Sequence, residues 1–299
     1  MQPASTTLEM VRALRPRQWL KNLLLFVPLL LAHDVSDLPR LQRLVVAFVA
    51  FCCAASAVYV LNDTLDREAD RRHPEKRLRP LAQETLTLRA VPWLLTALLG
   101  VAFGLAIWLL PRVFTGMLAT YVVANIAYSL FLKRVPILDV LVLAGMYALR
   151  LLAGGAAVNV EVSAWLLAFS LFFFASLAFA KRCAELGNVT QEDEAVVRGR
   201  GYLVSDISLI EAMGVTSGYV AVMVLALYIH SDQAKDLYQR RALLWPVCPL
   251  LLYWISRLWL LARRKQLQED PVLFAMTDRV SIFVGLLSVT LVGLAAWGK

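Results

Sequence analysis

Apolar residues run through this chain in unbroken blocks, with polar residues gathered into the stretches between them. Blocks fall at about 22–39, 41–61, 91–110, 113–132, 137–157, 163–181, 207–229, 242–262 and 279–297. A helix needs ~20 apolar residues to cross a bilayer core, and runs of this length are too long for strands. The pattern predicts an all-α, polytopic membrane protein with about nine transmembrane helices. The first block has the shortest apolar core and carries Pro28.

The linkers alternate in charge. Residues 1–21, 62–90, 133–136, 182–206 and 263–278, with the edge residues Lys181 and Arg279, hold 21 of the 30 lysines and arginines. The other set, around 33–43, 111–112, 158–162, 230–241 and the C-terminus, holds seven, and only Arg150 and Arg257 lie inside the blocks. Basic loops stay in the cytoplasm, so the N-terminus is expected inside and the C-terminus outside, in the plasma (inner) membrane. The layout also repeats coarsely. Residues 22–132 and 137–262 each carry a long charged loop after their second block, and 279–297 adds a last helix. A single transmembrane domain over 1–299 is expected, with both loops over one cavity mouth.

Composition adds little beyond this. The chain has 299 residues, 60% of them hydrophobic. Its net charge of +8 reports topology and the lipid bilayer as partner, with no nucleic acid expected. Cys52, Cys53, Cys183 and Cys248 fall in or at the edge of apolar blocks, without zinc spacing or a disulfide framework. No cleavable signal peptide is expected at the N-terminus.

Candidate chemistry sits directly after the second block. On a helix, Asn62, Asp63, Asp66 and Asp70 are separated by three and four residues and share a face. Three carboxylates and an amide repel one another unless a cation lies among them, and an oxygen-only set suits Mg²⁺. Six basic residues follow between Arg67 and Arg79, among them Lys76 and Arg77, and offer an anion site. The plain alternative is a solvated, charged loop.

Other candidates are polar residues at or inside the blocks, where polarity is costly. Asp139 and Arg150 share a face of the fifth block, so Arg150 can pair with Asp139 or with a loop carboxylate, or bind phosphate through its planar fork. Lys21 and Lys133 bound blocks at the same membrane face as the acidic motif and either snorkel to headgroups or bind substrate. Tyr59 lies one turn before Asp63. Lys181, Arg182 and Glu185 have helical spacing; Glu185 can pair with Lys181 alone or hold either base toward an anion. Glu192, Asp193 and Glu194 read as solvated loop. Asp270 before Pro271 reads as a helix N-cap, and Asp278 with Arg279 as a local pair. His73-Pro74 ends the acidic helix, and His33 and His230 lie on the far side. No Ser-His-Asp arrangement or Gly-rich phosphate loop is present, so metal-assisted departure of a diphosphate is the chemistry these residues allow.

The motif Asn62-Asp63-x-x-Asp66-x-x-x-Asp70 resembles the first aspartate-rich motif of the UbiA-type prenyltransferases. That family has about nine helices, Mg²⁺ and two acidic loops over a lipid-accessible cavity. Where its second motif, Asp-x-x-x-Asp, is usual, this chain has Lys181-Arg182-x-x-Glu185. That departure, with His73-Pro74-x-Lys76-Arg77-x-Arg79-Pro80, Arg17-Gln18-Trp19-Leu20-Lys21-Asn22 and Asp270-Pro271-Val272-x-Phe274-Ala275, is similar to the decaprenyl-phosphate phosphoribosyltransferase branch, which often has Tyr at the position of Cys183. The resemblance implies transfer of a phosphoribosyl group from 5-phosphoribosyl 1-diphosphate to polyprenyl phosphate, supplying an arabinose donor for cell-envelope glycans. Carried over by position, Asn62 and Asp66 ligate Mg²⁺, with Asp63 and Asp70 supporting the site and Asp63 a further candidate ligand. Lys21, Tyr59, Lys76, Lys133 and Arg150 contact the sugar donor or lipid phosphate; Arg77, Arg79, Lys181, Arg182 and Glu185 complete the expected substrate-binding set. Two alternatives stay open: a prenyltransferase using an isoprenyl diphosphate and an aromatic acceptor, which wants a second acidic cluster, and a transporter or lipid-binding protein without catalysis.

Overall fold

The computed structural model describes residues 6–34, 36–72, 76–187, 201–267 and 270–296. Among them there is no strand; eight helices are long and apolar enough to cross a membrane. His73-Pro74 and the 192–194 run lie outside the described residues. The chain divides into two compact units, residues 1–131 with 149–161, and residues 132–148 with 162–299.

In the first unit α1 (Thr6–Leu14) leads into a 3-10 helix over Pro16–Phe26 and the short α2 (Val27–Leu31). This is where the first of the nine spans was expected, and a long α-helix does not form. Pro28 has no N–H to give to the carbonyl of Leu24, four residues back; that carbonyl instead accepts from Val27 in the tighter 3-10 pattern. A 3-10 helix rises ~2.0 Å per residue against ~1.5 Å in an α-helix, so a short segment still reaches far.

α3 (Leu38–Leu65) is capped by Asp37, whose side chain accepts from the backbone N–H of Arg40, and has Pro39 in its first turn. It is the centre of the first unit: α1, the 3-10 helix, α5 (Val91–Leu109) and α6 (Arg112–Leu130) all pack on it. The short α4 (Arg67–Arg71) continues beyond it. Leu25, Leu44, Phe51, Phe114, Leu118 and Tyr121 form the buried core. α7 (Leu138–Val158) gives its second half to this unit. There Gly154 sits so close to the backbone of Leu25 that an added Cβ would lie 2.1 Å from its carbonyl oxygen. Only glycine allows that approach, and it holds Arg150, one turn earlier on α7, beside the 3-10 helix.

In the second unit α8 (Ala164–Gly187) lies along α9 (Ile207–His230), and α11 (Val247–Arg263) packs on both. Buried Trp259 of α11 donates to Ser176 of α8 at 3.0 Å, so the indole N–H is not left unpaired in the apolar interior. α10 (Asp232–Leu237) is short. α12 (Pro271–Thr277) begins as the sequence implies, with the Asp270 carboxylate accepting from the N–H of Val272. α13 (Arg279–Ala296) follows.

Candidate active site

The acidic motif forms where α3 gives way to α4. Asp66 ends α3 with φ −91° and ψ 5° and donates its N–H to the carbonyl of Asn62. The N–H of Asp70 bonds the carbonyl of Asp66 at 2.8 Å, so the helical ladder carries across the joint. Asn62, Asp66 and Asp70 thus follow one another at one-turn intervals on the same side. Asn62 and Asp66 are half-buried, and Asp63 and Asp70 are buried.

Buried carboxylates need partners, and here they are arginines. Arg15 donates to both oxygens of Asp63, from Nε at 3.1 Å and from Nη2 at 2.5 Å. Arg79 donates from Nη1 to Asp63 at 3.1 Å and to Asp70 at 2.5 Å. The guanidinium of Arg15 also lies 5.3 Å from the ring centre of Tyr59. Arg67 and Arg71 fasten the following loop, donating to the carbonyls of Leu81 and Ala82 and to the carboxylate of Glu84. Lys76 is half-buried and Arg77 exposed on the 3-10 turn Lys76–Leu78.

A second polar cluster in this unit is built on Arg150. Its Nε donates to Asn22 Oδ1 at 3.0 Å and its Nη2 to the Tyr121 hydroxyl at 3.0 Å. Asn22 in turn donates to Cys52 Sγ at 3.3 Å. Lys21, Asn22 and Arg150 are all buried. Arg150 thus bonds Asn22 and Tyr121, while Asp139, one of the partners open to it from the sequence, is bonded to other residues. Lys21 is buried rather than snorkelling.

The second unit holds those partners. Fully buried Asp139 accepts from Arg182 Nε at 2.6 Å and from the Tyr202 hydroxyl at 2.6 Å. The Tyr202 oxygen accepts from the N–H of Ile137 at 2.7 Å. Burial and the bond to Asp139 raise the Tyr202 phenol above its usual range, so it stays a donor. Gly201, at φ +70°, delivers Tyr202 here; its backbone passes close to the carbonyl of Arg134. Arg182 Nη1 donates to Glu185 at 2.5 Å. Glu185 is therefore paired with Arg182, while Lys181 bonds Asp270 at 2.9 Å. Lys133 lies half-buried on the 3-10 turn Leu132–Arg134. Asp278 pairs across to Arg257, at 2.7 and 3.0 Å, rather than with its neighbour Arg279.

Arg15, Tyr121 and Tyr202 were not among the residues the sequence singled out. Arg15 and Tyr202 carry one local signal each, a proline after the arginine and a glycine before the tyrosine. Tyr121 carries none.

The family model for the UbiA prenyltransferase family matches residues 23–287. The chain belongs to that family. It is thus an enzyme of the UbiA type and a multi-pass membrane protein. Among similar proteins, the nodulation protein NoeC of Azorhizobium caulinodans is 38% identical over 90% of this chain and 87% of its own length. A decaprenyl-phosphate phosphoribosyltransferase of Mycolicibacterium smegmatis is 36% identical, over 62% of this chain and 59% of its own length. An uncharacterized Sinorhizobium fredii protein, 36% identical, is longer: the chain spans about half of it, 53%. A UbiA homolog from Archaeoglobus fulgidus, solved with DMAPP and Mg²⁺, shares the fold with a TM-score of 0.69 at 17% identity, covering 96% of this chain and 97% of that one.

Whether the motif suits a divalent cation can be judged from its donors. Among the described residues no three His, Cys, Asp or Glu side chains converge as a ready metal cage, because Asp63 and Asp70 turn toward arginines. Oxygen donors at the helix joint nonetheless fit Mg²⁺ of the kind that takes one or two carboxylates and completes its shell with water and phosphate oxygens.

Proposed function

We propose that this UbiA-family enzyme transfers the 5-phosphoribosyl group of 5-phosphoribosyl 1-diphosphate to a polyprenyl phosphate, at the cytoplasmic face of the plasma membrane. A phosphate oxygen of the lipid forms a bond to the anomeric carbon of the ribose. The bond from that carbon to the diphosphate oxygen breaks, and diphosphate leaves with its electron pair. A phosphate monoester has a second pKa of ~6 and is already largely dianionic at neutral pH, so the acceptor needs no general base. What the protein must supply is positioning and relief of charge on the leaving group.

The observation that carries this reading is the environment of Glu185. At the place of a second acidic motif the chain has a carboxylate bound to Arg182, whose guanidinium is also held by Asp139. A donor with one acidic motif fits this arrangement better than an isoprenyl diphosphate held between two. The name of the Mycolicibacterium relative points the same way.

Asn62 and Asp66 would hold Mg²⁺, and Asp63 and Asp70 would support them. When bound, the ion would offset charge developing on the diphosphate. Lys76, Arg77 and Arg79 are the expected ligands of the donor's phosphates. Lys21, Tyr59 and Arg150 are assigned to the sugar donor or lipid phosphate, with Lys133 and Lys181 as further anion ligands. Arg182 and Glu185 are assigned to the same substrates from within their own ion network.

The test is direct. Purified protein given polyprenyl phosphate and labelled 5-phosphoribosyl 1-diphosphate yields a labelled lipid that requires Mg²⁺. Turnover of an isoprenyl diphosphate with an aromatic acceptor, and no labelled lipid, overturns the reading in favour of a prenyltransferase. Transport activity that survives Asp66→Asn, with no diphosphate release by wild type, overturns it in favour of a transporter.

A further inference from the structure

We infer that Arg15, outside the acidic motif by 48 residues, is a positioning residue for it: it fixes Asp63 and through it the turn that carries Asn62 and Asp66. The inference rests on the reading of that turn as the diphosphate-metal site.

Three features single out Arg15. Its bond to Asp63 is two-pronged, Nε to one oxygen and Nη2 to the other, and a paired fork of this kind fixes orientation as well as charge. Its backbone is left-handed, φ 53° and ψ 61°, a conformation that side-chain-bearing residues seldom adopt. Pro16, which follows, disfavours the ordinary helical region at this position. Finally, the segment on either side is pinned to α3. The Ser56 hydroxyl donates to the carbonyl of Leu14 at 2.9 Å, and Trp19 Nε1 donates to the Ser56 oxygen at 3.0 Å.

The consequence for Asp63 is specific. Its side chain is 5% exposed and that of Arg15 is 22% exposed. A carboxylate so buried stays in place only while its charge is answered. Arg79 answers part of it but is shared with Asp70. Arg15 supplies the two-pronged share, and it comes from a rigid anchor rather than from the loop that meets the donor. Arg79 can therefore turn to an incoming phosphate while Asp63 keeps its position. Tyr59, under the Arg15 guanidinium, is held by the same strut.

The experiment reads cation binding without a ribosyl donor, so it stands apart from whether 5-phosphoribosyl 1-diphosphate is the substrate. The purified full chain is titrated with Mn²⁺ in the presence of inorganic diphosphate, and bound Mn²⁺ is followed by electron paramagnetic resonance. Loss of a positioning partner around a metal costs about 10- to 100-fold in affinity, and Arg15→Gln is expected near the lower end. Arg15→Lys, with charge but no fork, falls between Arg15→Gln and wild type. Arg15→Gly keeps the left-handed turn at ease but lacks the guanidinium, and is expected to weaken binding as Arg15→Gln does. The double variant Arg15→Gln/Asp63→Asn no longer buries an unanswered charge and recovers most of the loss. Wild-type binding in Arg15→Gly would reduce Arg15 to a turn residue and overturn the inference. A double variant worse than either single one would overturn it too, by making Asp63 act on the ligand directly. So would a wild-type chain that binds no Mn²⁺ with diphosphate. Melting temperatures are measured in the same detergent: removing a partner of buried Asp63 is expected to lower them, so Mn²⁺ binding is compared well below each variant's own transition, and a loss of binding that disappears once only folded chain is counted overturns the positioning role.

Discussion

The end of α3 and the end of α8 each lead into a charged stretch of sequence, and they solve the same electrostatic problem in opposite ways. At the end of α3 the helix carries the acids, and the bases come from elsewhere: Arg15 from before the first apolar block and Arg79 from the loop beyond. At the end of α8 the helix carries the base, Arg182, and its acids are Glu185 on the same helix and Asp139 on α7. The first arrangement leaves Asn62 and Asp66 half-buried at a helix joint. The second is closed, with Arg182 only 1% exposed. One end has the makings of a ligand site that changes partners; the other has the makings of a brace, which meets substrate, as proposed above, without giving up its ion pairs. This difference is the support for proposing a phosphoribosyl diphosphate over an isoprenyl diphosphate as the donor.

If the end of α8 is a brace, breaking it should cost stability first. Removing one member of a buried ion pair typically costs ~3–5 kcal/mol because the other charge is stranded. Arg182→Ala leaves Asp139 with Tyr202 alone and is expected to lose that order of stability, read as a lower melting temperature in detergent. Arg182→Met/Asp139→Leu, which strands no buried charge, should fall well short of that loss. A melting temperature unmoved by Arg182→Ala would remove the contrast between the two helix ends.

If the end of α3 is the ligand site, its loss should show in activity. Asp66→Asn keeps the shape and removes the charge; the Mg²⁺ concentration needed for half-maximal transfer is expected to rise about 100-fold, with little change in melting temperature. The result that would blur the comparison is a large stability loss with an unchanged Mg²⁺ requirement, which would make Asp66 structural as well.

How far these differences were visible beforehand depends on distance along the chain. Patterns within a turn or two were legible: the apolar blocks, the shared face of Asn62, Asp66 and Asp70, and the Asp270 cap on α12. Partners across long separations were not. Asp139 and Arg182 are 43 residues apart, and nothing local announces that Arg182 rather than Arg150 will reach Asp139. The 3-10 form of Pro16–Phe26 was half legible, since Pro28 stands in the sequence but the tighter ladder upstream of it depends on packing that no neighbouring residue signals. Arg15 was least legible, because its role depends on a backbone conformation that only the packing of Leu14 and Trp19 on Ser56 makes evident.

A finer distinction can be drawn within the first unit. Arg67 and Arg71 bond loop carbonyls and Glu84, so they belong to the scaffold, whereas Lys76 and Arg77 are assigned to the donor. Changing Lys76 and Arg77 together to Ala should raise the apparent donor KM about tenfold, an effect of ~1.4 kcal/mol, while leaving that of the lipid nearly unchanged. An unchanged donor KM would return both residues to a solvated loop.

The smallest effect concerns how the second unit holds its last helix, and it tests whether ion pairs brace that unit generally. Asp278 starts α13 and accepts from Arg257 and from the N–H and hydroxyl of Ser281. Burial alone would raise its carboxyl, but the bonds from Arg257 and Ser281 outweigh it and hold it below the usual carboxylate range. A group with a depressed pKa in the folded chain adds stability that is complete above its unfolded value, ~3.9, and fades as pH falls through the lower folded value. Melting temperature should therefore drop more steeply below about pH 4 in wild type than in Asp278→Asn, which has no such proton to take up. The variant should also be less stable at neutral pH, by no more than the ~1 kcal/mol expected of a partly exposed pair. Parallel pH profiles for the two chains would mean that α13 is held by the packing of its apolar face, and that the Arg257–Asp278 pair does not brace the unit as the Asp139, Arg182 and Glu185 cluster does.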